Sequence, residues 1–314
     1  MGKLAFETLG FIFGGTFIER STSLMKTLIN ALKEVFQTQT VNNMLAIFIS
    51  VSITLLTLYL FIEVANRATT EQLTLERLIL ILVKFFASFV ILANIQQIIT
   101  VSFDISMAVY DTVETSVSKK LGEENSYGGL QFFPEVNSNP NEYPSKYTDE
   151  IKDKFKEAGY KDGNTSYIKN MSSFFTCLLF KMIMMVVNVA SYLIVVGNAI
   201  SLIARTVFAP IGMIQLMEDG SKSAGVRYLK KFLADGITLA VILVVLYAVS
   251  LLQGNIVVAS IPKSWHNELK ITTTVLDSIL NIKSGLGLML LSVQLAAVGA
   301  MFKASQIAND VVGV

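Results

Sequence analysis

Cysteine, histidine and tryptophan each occur once in these 314 residues, as Cys177, His266 and Trp265. One cysteine excludes an intrachain disulfide and a cysteine metal cluster. One histidine with no second histidine or cysteine beside it cannot build a zinc site. Cys177 lies inside an apolar segment and reads as a small buried side chain. Charge is also scarce: 16% of residues are Asp, Glu, Lys or Arg, against about 25% in soluble domains. No Gly-x-Ser-x-Gly, His-Glu-x-x-His, Walker A or dinucleotide fingerprint occurs, and Gly128-Gly129 lacks the lysine and helix context of a phosphate loop. No enzyme, metal or cofactor chemistry is expected. The halves show no inverted repeat of the kind that marks many secondary transporters.

What fills the chain instead is apolar. Hydrophobic residues make up 53% of it and the mean hydropathy is +0.57, which describes an integral membrane protein. A helix needs about 20 apolar residues to cross the hydrocarbon core. Residues 44–65, 78–100, 171–204, 232–252 and 284–302 meet that requirement. The expected fold is all-α: a polytopic α-helical membrane protein of about five transmembrane helices plus an N-terminal amphipathic helix. The run 9–18 is too short to span and lacks a signal-peptide cleavage site; Phe6 stands where myristoylation would want Ser or Thr. From Leu24 to Phe36 apolar residues recur at helical spacing on one face, which fits an interfacial helix or a helix packed on a partner.

Polar residues inside the spans carry the questions. Lys84 in the second span either snorkels to the interface or lines a pore. The third tract, about 34 residues long, must tilt, break or protrude. Gly197-Asn198 is its natural break, and Gly197 with Ser201 suits close helix contact. Asp235, one turn into the fourth span, is expected to form a structural ion pair with Lys230 and Lys231, the alternative being a proton relay. In the fifth span and beyond, Ser292, Ala296, Ala300, Ala304 and Ala308 recur at intervals of four, a smooth stripe that favours a neighbouring helix, in the same chain or another subunit.

Residues 1–43 form the interfacial region, 44–102 the first two spans, 103–170 a polar segment, and 171–314 the last three spans. Within 103–170, a helix over 104–121 gives way to Gly-, Pro- and Asn-rich sequence and then a short exposed helix over 150–159. Two glycosylation sequons, at Asn164 and Asn170, read as chance. The aromatics Tyr127, Phe132, Phe133 and Tyr143 mark this segment as a contact for substrate or partner, or else as a solvated linker. Orientation comes from residues 205–231, where Pro210 and Gly212 are expected to stop the preceding helix. Arg205, Lys222, Arg227, Lys230 and Lys231 outweigh Glu218 and Asp219, the signature of a cytoplasmic loop. Counting outward places residues 66–77 and the C-terminus in the cytoplasm, with the N-terminus, residues 103–170 and residues 253–283 outside.

The stretch 204–243, with Arg205, Ala209-Pro210-Ile211-Gly212, a Gly220-Ser221 turn and Gly225-x-Arg227-Tyr228-Leu229-Lys230-Lys231 leading into a span, resembles the VirB6/TrbL family. The family's members are polytopic inner-membrane components of type IV secretion and conjugation machines. The motif covers about an eighth of the chain; the rest of the likeness is topological. What the resemblance implies is a channel or scaffold subunit in a bacterial cytoplasmic membrane. Its partners would be other secretion-system membrane subunits, a cytoplasmic ATPase docked on Arg205, Pro210, Gly212, Arg227, Lys230 and Lys231, a transferred DNA–protein substrate, and further copies of itself. A transporter permease of the ATP-binding-cassette kind and a non-conducting scaffold are the alternatives.

Overall fold

The computed structural model describes residues 1–13, 16–70, 74–123, 147–157, 159–163, 171–214, 223–260 and 285–314. Helix is the only regular structure among them: α1 (Gly2–Phe13), α2 (Thr16–Gln37), α3 (Gln39–Thr69), α4 (Leu75–Ala93), α5 (Ile95–Glu123), α6 (Asp149–Glu157), α7 (Met171–Met213), α8 (Ala224–Ser260), α9 (Leu286–Phe302) and α10 (Ala304–Val312). Three helices, α3, α7 and α8, are long and apolar enough to cross a membrane. Two bent pairs, α4 with α5 and α9 with α10, bring the number to five if each is one span. The protein is therefore an all-α polytopic membrane protein. Exposed Ile47, Leu58 and Phe61 on α3 and Ile79, Val83 and Phe86 on α4 form surfaces that belong in hydrocarbon rather than water.

Helix boundaries follow local chemistry. Thr38 and Thr74 stand in extended conformation before α3 and α4, and their hydroxyls accept the Val41 and Arg77 N–H groups, satisfying donors that a helix start leaves open. The expected straight second span is instead broken at Asn94. Its side-chain amide turns back to donate to the Val90 carbonyl at 2.8 Å, and α5 leaves at 63° to α4. Short polar side chains compete for backbone groups in this way. The third tract does not break at Gly197-Asn198, since α7 runs unbroken for 43 residues, about 64 Å at 1.5 Å per residue.

The described chain forms two compact units, one of residues 1–25, 113–194 and 242–303, the other of residues 26–112, 195–241 and 304–314. In the first, α1 packs on α6 through buried Ala5, Phe6 and Leu9 against Ile151 and Phe155. The Phe6 ring lies 5.4 Å from that of Tyr147 and edge-on to Phe155 at 6.2 Å. Asp162 closes this contact, accepting from the Met1 amino group at 3.0 Å, the Lys3 N–H at 3.3 Å and the Tyr147 hydroxyl at 3.1 Å. Glu7 pairs with Lys181 of α7 at 3.0 Å. Cys177 is buried, as expected.

Partial burial pushes the Asp162 carboxyl up, but the hydrogen bonds from Met1 and Lys3, with the nearby amino charge, outweigh it and hold the group below its ordinary 3.8. A carboxyl depressed in the folded state contributes stability that is complete above its ordinary value and is lost as the pH falls through the depressed one. Protease protection of α1 should accordingly weaken on acidification below about pH 4. In Asp162→Asn it should be weaker at neutral pH and lose that acid step. An unchanged acid step in the variant would assign it to another group.

In the second unit α3 and α4 form a hairpin over buried Leu45, Ser52, Leu56, Ile81, Ser88 and Leu92. Gln96 donates to the Asn42 side chain at 3.0 Å, and Phe36 meets Phe103 with ring centroids 4.5 Å apart. Phe48 meets Phe208 at 4.9 Å.

Candidate functional site

The α7–α8 turn is the site that the sequence singled out, and its flanking helices hold the most connected polar network of the second unit. Pro210 does not stop α7. It is buried inside the helix, which continues to Met213. Proline lacks an N–H and its ring crowds the preceding turn, but membrane helices accept it when a neighbour satisfies the disturbed backbone. Tyr228 of α8 braces this turn of α7, its hydroxyl donating to the Arg205 carbonyl. The Tyr228 ring also lies over Gly212, where an added Cβ would stand 2.6 Å from the ring. Gly212 is therefore required for close approach and not for ending the helix. At the other flank α8 begins at Ala224, with the Ser223 hydroxyl accepting the Val226 N–H. The turn itself shrinks from the expected 205–231 to the residues between these two helices. Gly220 and Ser221 of the motif, and Lys222 of the basic loop, lie outside the described residues.

Asp235 is 5% exposed, so its charge must be matched within the protein. The ion-pair partner is Arg205 rather than Lys230 or Lys231, although the Lys231 charge also acts on the carboxylate. Arg205 Nε lies 2.6 Å from Asp235 Oδ2, Ser201 Oγ donates to the same oxygen at 3.3 Å, and Asn198 Nδ2 donates to the Asp235 carbonyl at 2.7 Å. Asn198, Ser201 and Arg205 recur at helical spacing on α7, so one polar face addresses one residue, Asp235, across the hairpin, the first at its backbone carbonyl and the other two at its carboxylate. Lys230 turns elsewhere and donates to the Gly313 carbonyl at 3.0 Å. A guanidinium suits this place because it stays charged and donates in several directions. On the far side of Asp235, the Ser106 hydroxyl of α5 fills the space that a side chain at Gly236 would occupy.

The remaining expected site residues separate into groups. Arg205, Pro210, Gly212 and Lys230 have internal roles; Arg227 and Lys231 are exposed. The small-residue stripe is interrupted at Lys303, where α9 and α10 meet at 47°. Ser292 and Ala296 are exposed and Ala300 half-buried on α9, while Ala304 and Ala308 of α10 are fully buried. Gly197 makes no close helix contact, having nothing within 4 Å of a Cβ placed there. Lys84 is half-exposed. Tyr127, Phe132, Phe133 and Tyr143 lie outside the described residues, as do Trp265, His266 and both sequons. Sequence reasoning missed Asn198, Ser201 and Tyr228 as partners. Asking which polar residues of α7 lie level with Asp235 across a hairpin would have found the first two. Compared with protein-family models, with curated proteins and with solved structures, the chain matches none.

Proposed function

We propose that this protein is a VirB6/TrbL-like membrane subunit of a type IV secretion or conjugation machine, helping a DNA–protein or protein substrate across a bacterial cytoplasmic membrane. The observation that carries the reading is that residues of the family-like motif are one another's partners. Arg205, Gly212 and Tyr228 belong to the motif, and they join α7 to α8 around Pro210 and Asp235. A motif that builds one defined helical hairpin is more specific than a motif of turn residues. The protein needs no catalytic residue in this role, because separate ATPases supply the energy.

In this reading the α7–α8 turn and the C-terminus face the cytoplasm, since the turn is flanked by the Lys/Arg excess. Counting crossings from that turn places the α3–α4 link in the cytoplasm as well, with residues 103–170 and the N-terminus outside. Cysteine labelling tests the arrangement in a Cys177→Ser background. Ser138→Cys should react with an impermeant reagent in intact cells, and Gln72→Cys and Ser221→Cys only after permeabilisation. Labelling of Ser221→Cys from outside would reverse the orientation. Function is tested separately by deleting residues 126–147, which should leave membrane insertion intact and abolish transfer. Normal transfer by that deletion would remove the polar segment from the transfer path, and copurification of the protein with ATP-binding-cassette subunits instead of secretion subunits would overturn the assignment.

A further inference from the structure

The C-terminal helix and the start of α8 share a feature that the transfer function does not use. Helix α10 is amphipathic. Ala304 and Ala308 are fully buried, while Ile307 and Val311, which flank them on the same apolar side, are 42% and 70% exposed; Val314, just past the helix end, is 41% exposed. Only Lys303 separates α10 from α9, and the two form a candidate span bent by 47°. The exposed apolar stripe therefore belongs to a helix attached directly to a membrane segment. Its far end is fixed: Gly313 takes a left-handed conformation, φ 72°, and its carbonyl accepts from Lys230 of α8. One residue and four residues away on α8, Lys231 and Arg227 define an exposed basic face, with Lys230 between them on the same side of the helix.

We propose that α10 and the first two turns of α8 form a contact for anionic phospholipid headgroups, with Ile307, Val311 and Val314 dipping into the acyl boundary and Arg227 and Lys231 meeting the phosphates. Bilayer is the occupant because the helix is continuous with a span, because amphipathic helices bind in the interface plane through such an apolar face, and because basic residues beside it select anionic lipid. Lys and Arg stems reach the headgroup level from a helix end. Asp310, exposed on the flank of the apolar stripe, opposes this with one negative charge, fewer than the positive charges on α8. The contact is independent of the secretion reading and would hold for a transporter or scaffold.

The test uses the full chain, with a fluorophore at Val311→Cys in the Cys177→Ser background, reconstituted in phosphatidylcholine vesicles that contain either brominated phosphatidylcholine or the same fraction of brominated phosphatidylglycerol. The phosphatidylglycerol quencher should act several-fold more strongly. Arg227→Gln with Lys231→Gln should erase that preference, whereas Arg227→Lys, which keeps the charge, should retain it. Equal quenching by the two lipids in the parent protein overturns headgroup selection. Quenching by aqueous iodide alone overturns the lipid contact, and energy transfer between labelled copies without lipid quenching would give the face to a second copy of the chain. Loss of the preference in Arg227→Lys would point to a guanidinium grip on a protein carboxylate and equally overturns the proposal. Val314→Cys provides a second probe position should the first disturb packing.

Discussion

Arg205→Leu should be among the most destabilising single substitutions in the second unit, costing on the order of 3 kcal/mol, the lower part of the range for breaking a buried ion pair by removing one partner. The reason is the asymmetry of the two side chains. The Asp235 side chain is 7% exposed and that of Arg205 31%, so removing the guanidinium strands a buried carboxylate whose remaining side-chain hydrogen bond among the described residues is from the Ser201 hydroxyl. Removing the carboxylate instead leaves an arginine with a long stem and partial access to the headgroup region. Asp235→Leu should therefore cost less than Arg205→Leu. The double substitution should lie close to the parent, because a buried pair replaced by apolar residues is often neutral or better. Thermal inactivation of detergent-solubilised protein, followed by the monodisperse fraction on size exclusion for all four members of the cycle, measures the coupling directly. Additive losses would mean that the pair is not the interaction that joins α7 to α8.

Much of the architecture was legible because the bilayer imposes one strong rule. Apolar runs of sufficient length become spanning helices, and α3, α7 and α8 contain the expected segments 44–65, 171–204 and 232–252. What was not legible depended on partners distant in sequence. Pro210 was read as a terminator because soluble helices end there, whereas α7 runs through it to Met213 beside Tyr228, which stands 18 positions later and lays its ring over Gly212. Asp235 was assigned to its nearest cations in sequence, Lys230 and Lys231, although helices place neighbours by depth across a hairpin. Depth brought Arg205, 30 positions away, within 2.6 Å. The break at Asn94 hung on one side-chain amide returning to Val90, a local choice that apolar periodicity does not record. Of the docking residues, the charges were correctly placed near one turn, but four of the six positions have internal roles.

Gly236→Ala should destabilise the second unit by roughly 1–3 kcal/mol, the usual cost of overpacking, although alanine is the better helix former by about 1 kcal/mol. Packing outweighs propensity here because the new methyl would meet both Oγ and Cβ of Ser106. Turning the Ser106 hydroxyl away cannot relieve a contact with Cβ, so α5 and α8 must separate. Separation also weakens the Ser106 bond to the Leu233 carbonyl, already 3.5 Å long. Ser106→Ala should consequently fail to rescue Gly236→Ala, whereas Ser106→Gly, which removes the obstructing carbon, should recover most of the loss. A glycine introduced into α5 carries its own propensity cost, so recovery should be incomplete, and Ser106→Gly alone should be mildly destabilising. The diagnostic quantity is the difference between the two rescues in the same thermal assay. Equal rescue by Ser106→Ala and Ser106→Gly would trace the defect to the hydroxyl and its hydrogen bond, and would contradict the close helix crossing at Gly236. Full stability of Gly236→Ala on its own would mean that α5 does not approach α8 there at all.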